Sequence, residues 1–193
     1  MRAFIFNSGI GSRMGELTRH TPKALLPLKN GETILGRQLR LLQQVGIKSV
    51  VISTGYLAKE IEDYCKANFP DMYFIFSHNS IYDKTNSIYS LAISSHMLHE
   101  DFIVMHGDLV FDERILVKLI KEKHPNLSCI NTRIDKPEKD FKGRVERGKL
   151  QKISVEIFGV NDYALQPIYK MSSELLRGWL REIEKMIDAG FSA

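Results

Sequence analysis

Apolar residues recur along this chain in two alternating rhythms. Short compact runs, Ala3-Phe4-Ile5-Phe6, Val50-Val51-Ile52, Tyr73-Phe74-Ile75-Phe76 and Phe102-Ile103-Val104-Met105, are rich in aromatic and β-branched residues and read as buried strands. Between them the spacing lengthens to that of a helix. Ile34, Leu35, Gln38, Leu39, Leu41, Leu42 and Val45 follow Thr33, an N-cap residue, and stop at Gly46; a second helix is predicted from about Leu57 to Asn68. Asn86 or Ser87 can cap a third helix carrying Ile88, Leu91, Ala92 and Ile93, and Asp112 a fourth carrying Ile115, Leu116, Leu119 and Ile120. Strand and helix in alternation predict a three-layer α/β/α fold, with a mainly parallel mixed sheet between helices on both faces.

The rhythm changes after about Leu127. Strands predicted at Leu127 to Thr132, Gly143 to Glu146, Leu150 to Ser154 and Tyr163 to Tyr169 have no helices between them. Arg147-Gly148 reads as a hairpin turn, and Ser172 caps a last helix running to about Gly190. No repeat or linker divides the chain, so a single domain over 1–193 is expected, in which residues 1–125 form the α/β body and residues 126–193 a small β-rich region that acts as a lid or acceptor surface.

Composition narrows the class. With 193 residues, 44% apolar and 26% charged, the chain is globular and long enough to bury a core. No apolar run approaches the length that crosses a bilayer, and Met1-Arg2-Ala3 leads straight into a strand, so a cytoplasmic protein with no membrane insertion is expected. Cys65 and Cys129 lack metal-ligand spacing and are expected to be reduced core residues. The net charge of +4 is concentrated: Arg133 to Lys152 holds eight basic and four acidic residues, which accounts for the whole excess. Such a segment suits a small anionic substrate or a solvated hairpin; without interleaved aromatics for stacking, nucleic acid is not an expected partner.

Candidate chemistry begins where the first strand ends. In Asn7-Ser8-Gly9-Ile10-Gly11-Ser12-Arg13-Met14, glycines let the backbone bend and turn its amides toward one point, as phosphate binding requires. Arg13 adds a fork of donors and Lys23, in Pro22-Lys23, a mobile point charge. A dinucleotide-binding turn is disfavoured because Met14 stands at its third glycine, and a Walker loop because no Gly-Lys precedes Ser or Thr. His106-Gly107-Asp108 sets a carboxylate just past a buried strand, where magnesium, which favours hard oxygens, could share it with substrate phosphates. His106 itself reads as structural, since an attacking phosphate oxygen is already ionised near neutrality.

The two-segment pattern Gly-x-Gly-Ser-Arg-Met, Thr18 and Thr21, then Pro22-Lys23-x-Leu25, resembles the signature of the nucleotidyltransferases that make nucleotide sugars and activated alcohol phosphates. Asn86-Ser87-Ile88-Tyr89-Ser90-Leu91 is similar to the corresponding segment of the phosphocholine cytidylyltransferase branch, where sugar-nucleotide enzymes usually carry a Pro-x-Gly-Leu-Ala type of sequence. The resemblance covers Ala3 to Asp108 well and thins afterwards. It implies the Rossmann-like nucleotide-diphospho-sugar transferase fold, with 1–125 binding nucleotide and 126–193 the acceptor. It implies Mg2+ on Asp108, a catalytic role for Arg13, Lys23 and Asp108, and a nucleotide held by Asn7, Ser8, Gly9, Gly11, Ser12, Gly55, Tyr56, Asn86 and Ser87.

The expected partners are a nucleoside triphosphate, with CTP favoured, and a small phosphorylated acceptor such as phosphocholine or a related amino-alcohol phosphate or phosphonate. A quaternary ammonium would sit against aromatic faces, for which Tyr82, Tyr89, Phe141, Tyr163 and Tyr169 are candidates that could equally be core, with Glu138 or Asp140 as an acidic partner. The chain departs from the family in two places. Val155 follows Ile153-Ser154 where a lysine is usual, and the family's second metal-binding aspartate would begin where this chain stops at Ala193; Asp162 and Asp188 are substitutes without the matching context. Two further readings stand beside the cytidylyltransferase: a sugar-1-phosphate nucleotidylyltransferase, and a nucleotide-binding or truncated member that is catalytically weak.

Overall fold

The computed structural model describes residues 1–189. Eight strands form one mixed sheet: β1 (Arg2–Asn7), β2 (Ser49–Thr54), β3 (Tyr73–His78), β4 (Phe102–His106), β5 (Leu127–Asn131), β6 (Lys142–Glu146), β7 (Lys149–Ser154) and β8 (Asp162–Met171). The helices are α1 (Ile34–Gln44), α2 (Ala58–Asn68), α3 (Ser87–Ile93), α4 (Glu113–Lys121) and α5 (Ser173–Asp188).

The period-two alternation of the strands sorts their side chains between two cores. Ala3 and Ile5 of β1, Val50 and Ile52 of β2, and Ile103 and Met105 of β4 face a cluster shared with Leu35, Leu39 and Leu42 of α1, Ile61 and Cys65 of α2, and Leu116 and Leu119 of α4. The intervening Phe4, Val51, Phe102 and Val104 face the opposite cluster, with Leu91 of α3 and Leu176 and Leu180 of α5. The expected caps are present: Thr33, Asn86, Asp112 and Ser172 each accept a backbone N–H of the helix they open. Leu57 lies just outside α2 with φ 51, so that helix begins one residue later than its spacing predicts. Arg147 and Gly148, with φ 50 and 74, make the two-residue β6–β7 turn, which needs positive φ at both central positions.

Strands β3, β2, β1 and β4 run parallel, in that order. The chain therefore steps from β1 to one side for β2 and β3, then returns to its other side for β4. That reversal opens a crevice beyond the carboxyl ends of β1 and β4. Asn7-Ser8-Gly9 leaves one end and Gly107-Asp108 the other, with Phe6 and His106 in register across the pair.

The β-rich second half continues the same sheet. β8, ten residues long, pairs antiparallel with β4 through Met105↔Ile168 and with β6 through Lys142↔Ala164, while β5 covers its other edge. Its alternation joins both cores: Ile168 packs in the first cluster, and Met171 with Tyr169 in the second. The loop after β1 is also more structured than its sequence predicts, with short 3₁₀ turns at Ser12–Thr18 and Lys23–Leu25. Among the described residues no helix is long and apolar enough to cross a membrane. Cys65 and Cys129 are free thiols, the first fully buried.

Candidate active site

The crevice is a cleft of about 340 Å³. Asn7, Ser8, Gly9, Gly11, Ser12, Arg13, Lys23 and Asp108 line it from the strand ends and the glycine loop, and Tyr82, Thr85, Asn86 and Ser87 from the segment leading into α3. Lys23 donates to Asp108 Oδ2 at 2.6 Å, so two residues 85 positions apart meet as a half-exposed ion pair. Arg13 is exposed and makes no ion pair among the described residues. The cleft thus carries one uncommitted cation and one held by a carboxylate.

Local packing explains why the loop takes this shape. Gly11 has φ 73, and a Cβ there would come within 3.2 Å of Thr18 and 3.3 Å of Lys23. The buried Thr18 hydroxyl ties the turn by donating to the Gly11 carbonyl at 3.1 Å, which accounts for the threonine of the motif. At Gly107 a Cβ would fall 1.6 Å from Asn7 Oδ1, and at Gly55 it would fall 2.6 Å from the Ser8 carbonyl and 2.7 Å from Tyr82 Cβ. Three strand ends approach one another here without room for side chains.

Supporting residues come from elements whose sequence does not advertise them. Gln38, in the apolar stripe of α1, donates through Nε2 to the carbonyls of His106 at 2.9 Å and Leu109 at 2.8 Å, clamping the turn that carries Asp108. The buried Ser53 hydroxyl accepts the Asn7 backbone N–H. Ser8, Ser90, Asn79 and Thr85 form a chain of side-chain hydrogen bonds beneath the cleft. Asn7 is itself buried at 8% exposure, and its Nδ2 has no partner, a state that costs free energy unless a ligand or water accepts from it. His106, edge-on to Phe6, has its pKa lowered chiefly by burial, with opposing pulls from Asp108 and Lys23.

The other expected residues lie elsewhere or act differently. Gly55 and Tyr56 sit behind the loop, Gly55 against Ser8 and Tyr56 donating its hydroxyl to the Arg19 carbonyl at 2.6 Å. Asn86 lines the cleft, but its Oδ1 is spent capping α3 by accepting from Ile88 N at 2.8 Å. Tyr89, Glu138, Asp140 and Tyr169 do not line the cleft. Tyr169 packs in the second core, where burial pushes its pKa up to about 12, and Glu138 and Asp140 lie on the segment before β6. Asp162 is fully buried and held by Arg144 through bonds of 2.8 and 3.0 Å, which lower its pKa, and Asp188 is at the end of α5. Neither reaches the cleft; the segment after Ala189 lies outside the described residues.

Among the described residues, no three His, Cys, Asp or Glu side chains gather as a metal site. Asp108 nevertheless fits a cation of magnesium's type, which keeps its waters and takes one or two carboxylates beside substrate phosphates. A half-exposed carboxylate facing the glycine loop has the chemistry and the access that such a role requires.

Comparison with known proteins shows the family of the chain and the likeness of its fold. The profile of the MobA-like NTP transferase domain matches residues 3–139. The chain is 35% identical over 124 residues to the choline-phosphate cytidylyltransferase of Haemophilus influenzae, covering 64% of this chain and 50% of that protein. It is 30% identical over 119 residues to the CMP-5'-(3-aminopropyl)phosphonate synthase of Streptomyces rubellomurinus, covering 62% of this chain and 19% of that protein. The chain thus spans half or less of the length of these relatives. In three dimensions it resembles the CTP:phosphocholine cytidylyltransferase of Streptococcus pneumoniae with a TM-score of 0.71 and 23% identity, over 98% of this chain and 78% of that one, a likeness of fold.

Proposed function

Because the chain belongs to the MobA-like NTP transferase domain family, we propose that it transfers a nucleotidyl group from a nucleoside triphosphate to a small phosphorylated acceptor, releasing pyrophosphate. The nucleotide in this reading is CTP, and the acceptor an amino-alcohol phosphate or phosphonate of the phosphocholine type. The observation that carries it is the meeting of Lys23 and Asp108 at 2.6 Å in the cleft formed by the glycine loop. The cytidylyl preference rests on the Asn86-to-Leu91 segment and on the two curated relatives, whose names specify CMP or choline-phosphate chemistry.

In the proposed reaction, an acceptor phosphate oxygen attacks the α-phosphorus in line, forming the new P–O bond as the bond to the β-phosphate oxygen breaks. Such transfers need alignment and charge stabilisation more than covalent participation by the protein. The amides from Ser8 to Ser12 hold the nucleotide, and Arg13 neutralises the departing pyrophosphate. Lys23 exchanges Asp108 for an α-phosphate oxygen, adding charge where it develops in the transition state. Asp108, released from that pair, would hold Mg2+, which when bound neutralises and orients the phosphates.

The test is incubation with CTP, Mg2+ and phosphocholine or 3-aminopropylphosphonate, scored by pyrophosphate release, beside a panel of other triphosphates and sugar 1-phosphates. Release dependent on CTP and an amino-alcohol acceptor supports the reading. Turnover only with a sugar phosphate moves the protein to the sugar-nucleotide branch. CTP binding without transfer to any acceptor leaves a nucleotide-binding protein.

A further inference from the structure

We propose that Ser90, oriented by Asn79, is a positioning residue that turns the Ser8 hydroxyl into a donor for the nucleoside end of the bound nucleotide. The proposal rests on the nucleotide-binding reading of the cleft.

The direction of the hydrogen bonds follows from which groups can only donate. Asn79 is 1% exposed, and its Oδ1 accepts the Ile81 backbone N–H at 3.1 Å. A backbone N–H cannot accept, so the amide is held with Nδ2 facing the other way, 3.0 Å from Thr85 Oγ1 and 3.1 Å from Ser90 Oγ. The Thr85 hydroxyl already donates to the Ile81 carbonyl at 2.9 Å, which leaves it to accept from Asn79. Ser90, fully buried, likewise accepts from Asn79 and keeps one proton to give. Its other side-chain partner is Ser8 Oγ at 2.8 Å.

Two orientations of that last bond are possible, and burial separates them. If Ser8 donated to Ser90, the Ser90 proton would be buried without an acceptor, which is costly. If Ser90 donates to Ser8, the unspent proton sits on Ser8, which lines the cleft. The relay Asn79 to Ser90 to Ser8 therefore delivers a donor to the ligand side. Asn7, which lines the cleft with its amide against Gly107, carries a second donor without a partner in Nδ2.

The same path tells which end of the ligand is met. The relay reaches Ser8 from the wall bearing Asn86 and Ser87, which the family resemblance assigns to the nucleotide, whereas Arg13 and Lys23, the cations of the triphosphate site in the reading above, come later along the loop. The Ser8 hydroxyl accordingly serves a nucleoside oxygen and not the triphosphate tail. Ser90 contributes through Ser8 alone, since it does not line the cleft.

Calorimetric titration of the protein and its variants with CTP plus Mg2+, and with inorganic tripolyphosphate plus Mg2+, tests this. Ser90→Ala removes the donor, and Ser90→Cys puts a slightly larger side chain with only a weak donor in its place, so the test survives if one variant does not fold. Either change, and Ser8→Ala, should raise the Kd for CTP by about five- to tenfold, the worth of one hydrogen bond to a buried acceptor, and leave the Kd for tripolyphosphate within about twofold. The double variant of Ser8 and Ser90 should bind CTP no more weakly than the weaker single variant, because both changes break one relay. An unchanged CTP affinity, equal losses for both ligands, or single effects that multiply in the double variant overturns the proposal. If the unaltered protein binds no nucleoside triphosphate, the functional reading falls and takes this proposal with it.

Discussion

The two halves of the sheet bury polar groups in opposite ways. In the antiparallel half every notable buried charge is spent on structure. Lys142, fully buried, donates to the carbonyls of Pro137 at 2.6 Å and Asp140 at 3.1 Å and lies 4.1 Å over the Phe158 ring; Asp162 is clasped by Arg144; Lys170 donates to the Glu122 carbonyl at 2.7 Å. At the carboxyl ends of the parallel strands, polar groups are left with capacity to spare. Asn7 Nδ2 has no partner, Arg13 makes no ion pair among the described residues, and the Lys23–Asp108 pair is open to solvent. Chemical type does not separate the halves, since both contain lysine paired with oxygen. Saturation separates them: a buried charge with its partners supports the fold, and a polar group with spare capacity beside a cleft is free to take a ligand.

That contrast can be broken by variants that move activity and stability apart. The largest effect is expected from Lys23→Ala, which should cut turnover at least about a hundredfold, as removal of a transition-state cation does. Its thermal midpoint should stay nearly unchanged, because exposed ion pairs contribute little. Pyrophosphate release and a melting curve on the same sample decide it, and a large fall in the midpoint would make Lys23 a structural residue instead. Lys142→Met should behave in reverse. It leaves two carbonyls unpaired and is expected to cost about 2 kcal/mol, lowering the midpoint by roughly 4–8 °C for a chain of this size, while the Kd for CTP stays within about twofold.

Gly107→Ala should blur the division, since the new Cβ would displace Asn7. About 1–2 kcal/mol of stability should be lost, as in an overpacked site, together with a measurable fraction of the CTP affinity. Stability lost without affinity would show that Asn7 does not touch the nucleotide. The smallest expected effect is a pH dependence. His106 has a folded pKa below its ordinary value of 6.5, mainly through burial, so between 6.5 and that lower value the unfolded chain binds a proton the folded chain does not. Stability should therefore fall as pH drops through this window, and His106→Gln should flatten the decline in melting curves taken from pH 7.5 to about 5.

What the amino-acid order determined alone was whatever depends on near neighbours. Period-two runs defined the strands, four capping residues opened their helices, and Gly11, Arg13, Lys23 and Asp108 marked a candidate site by type and spacing. Only the tertiary structure decided which polar residues would be satisfied, and by what. Gln38 reads as one more position on a helical stripe until the turn after β4 arrives beside it, and Ser90 as a helix-filling serine until Ser8, 82 residues earlier, lies within 2.8 Å. Tyr169 and Tyr82 have the same ring and the same claim on a cationic ligand, yet one is packed under α5 and the other lines the cleft. A side chain carries its donors and acceptors in its chemistry, but their partners come from segments far away in sequence, and only folding assembles them.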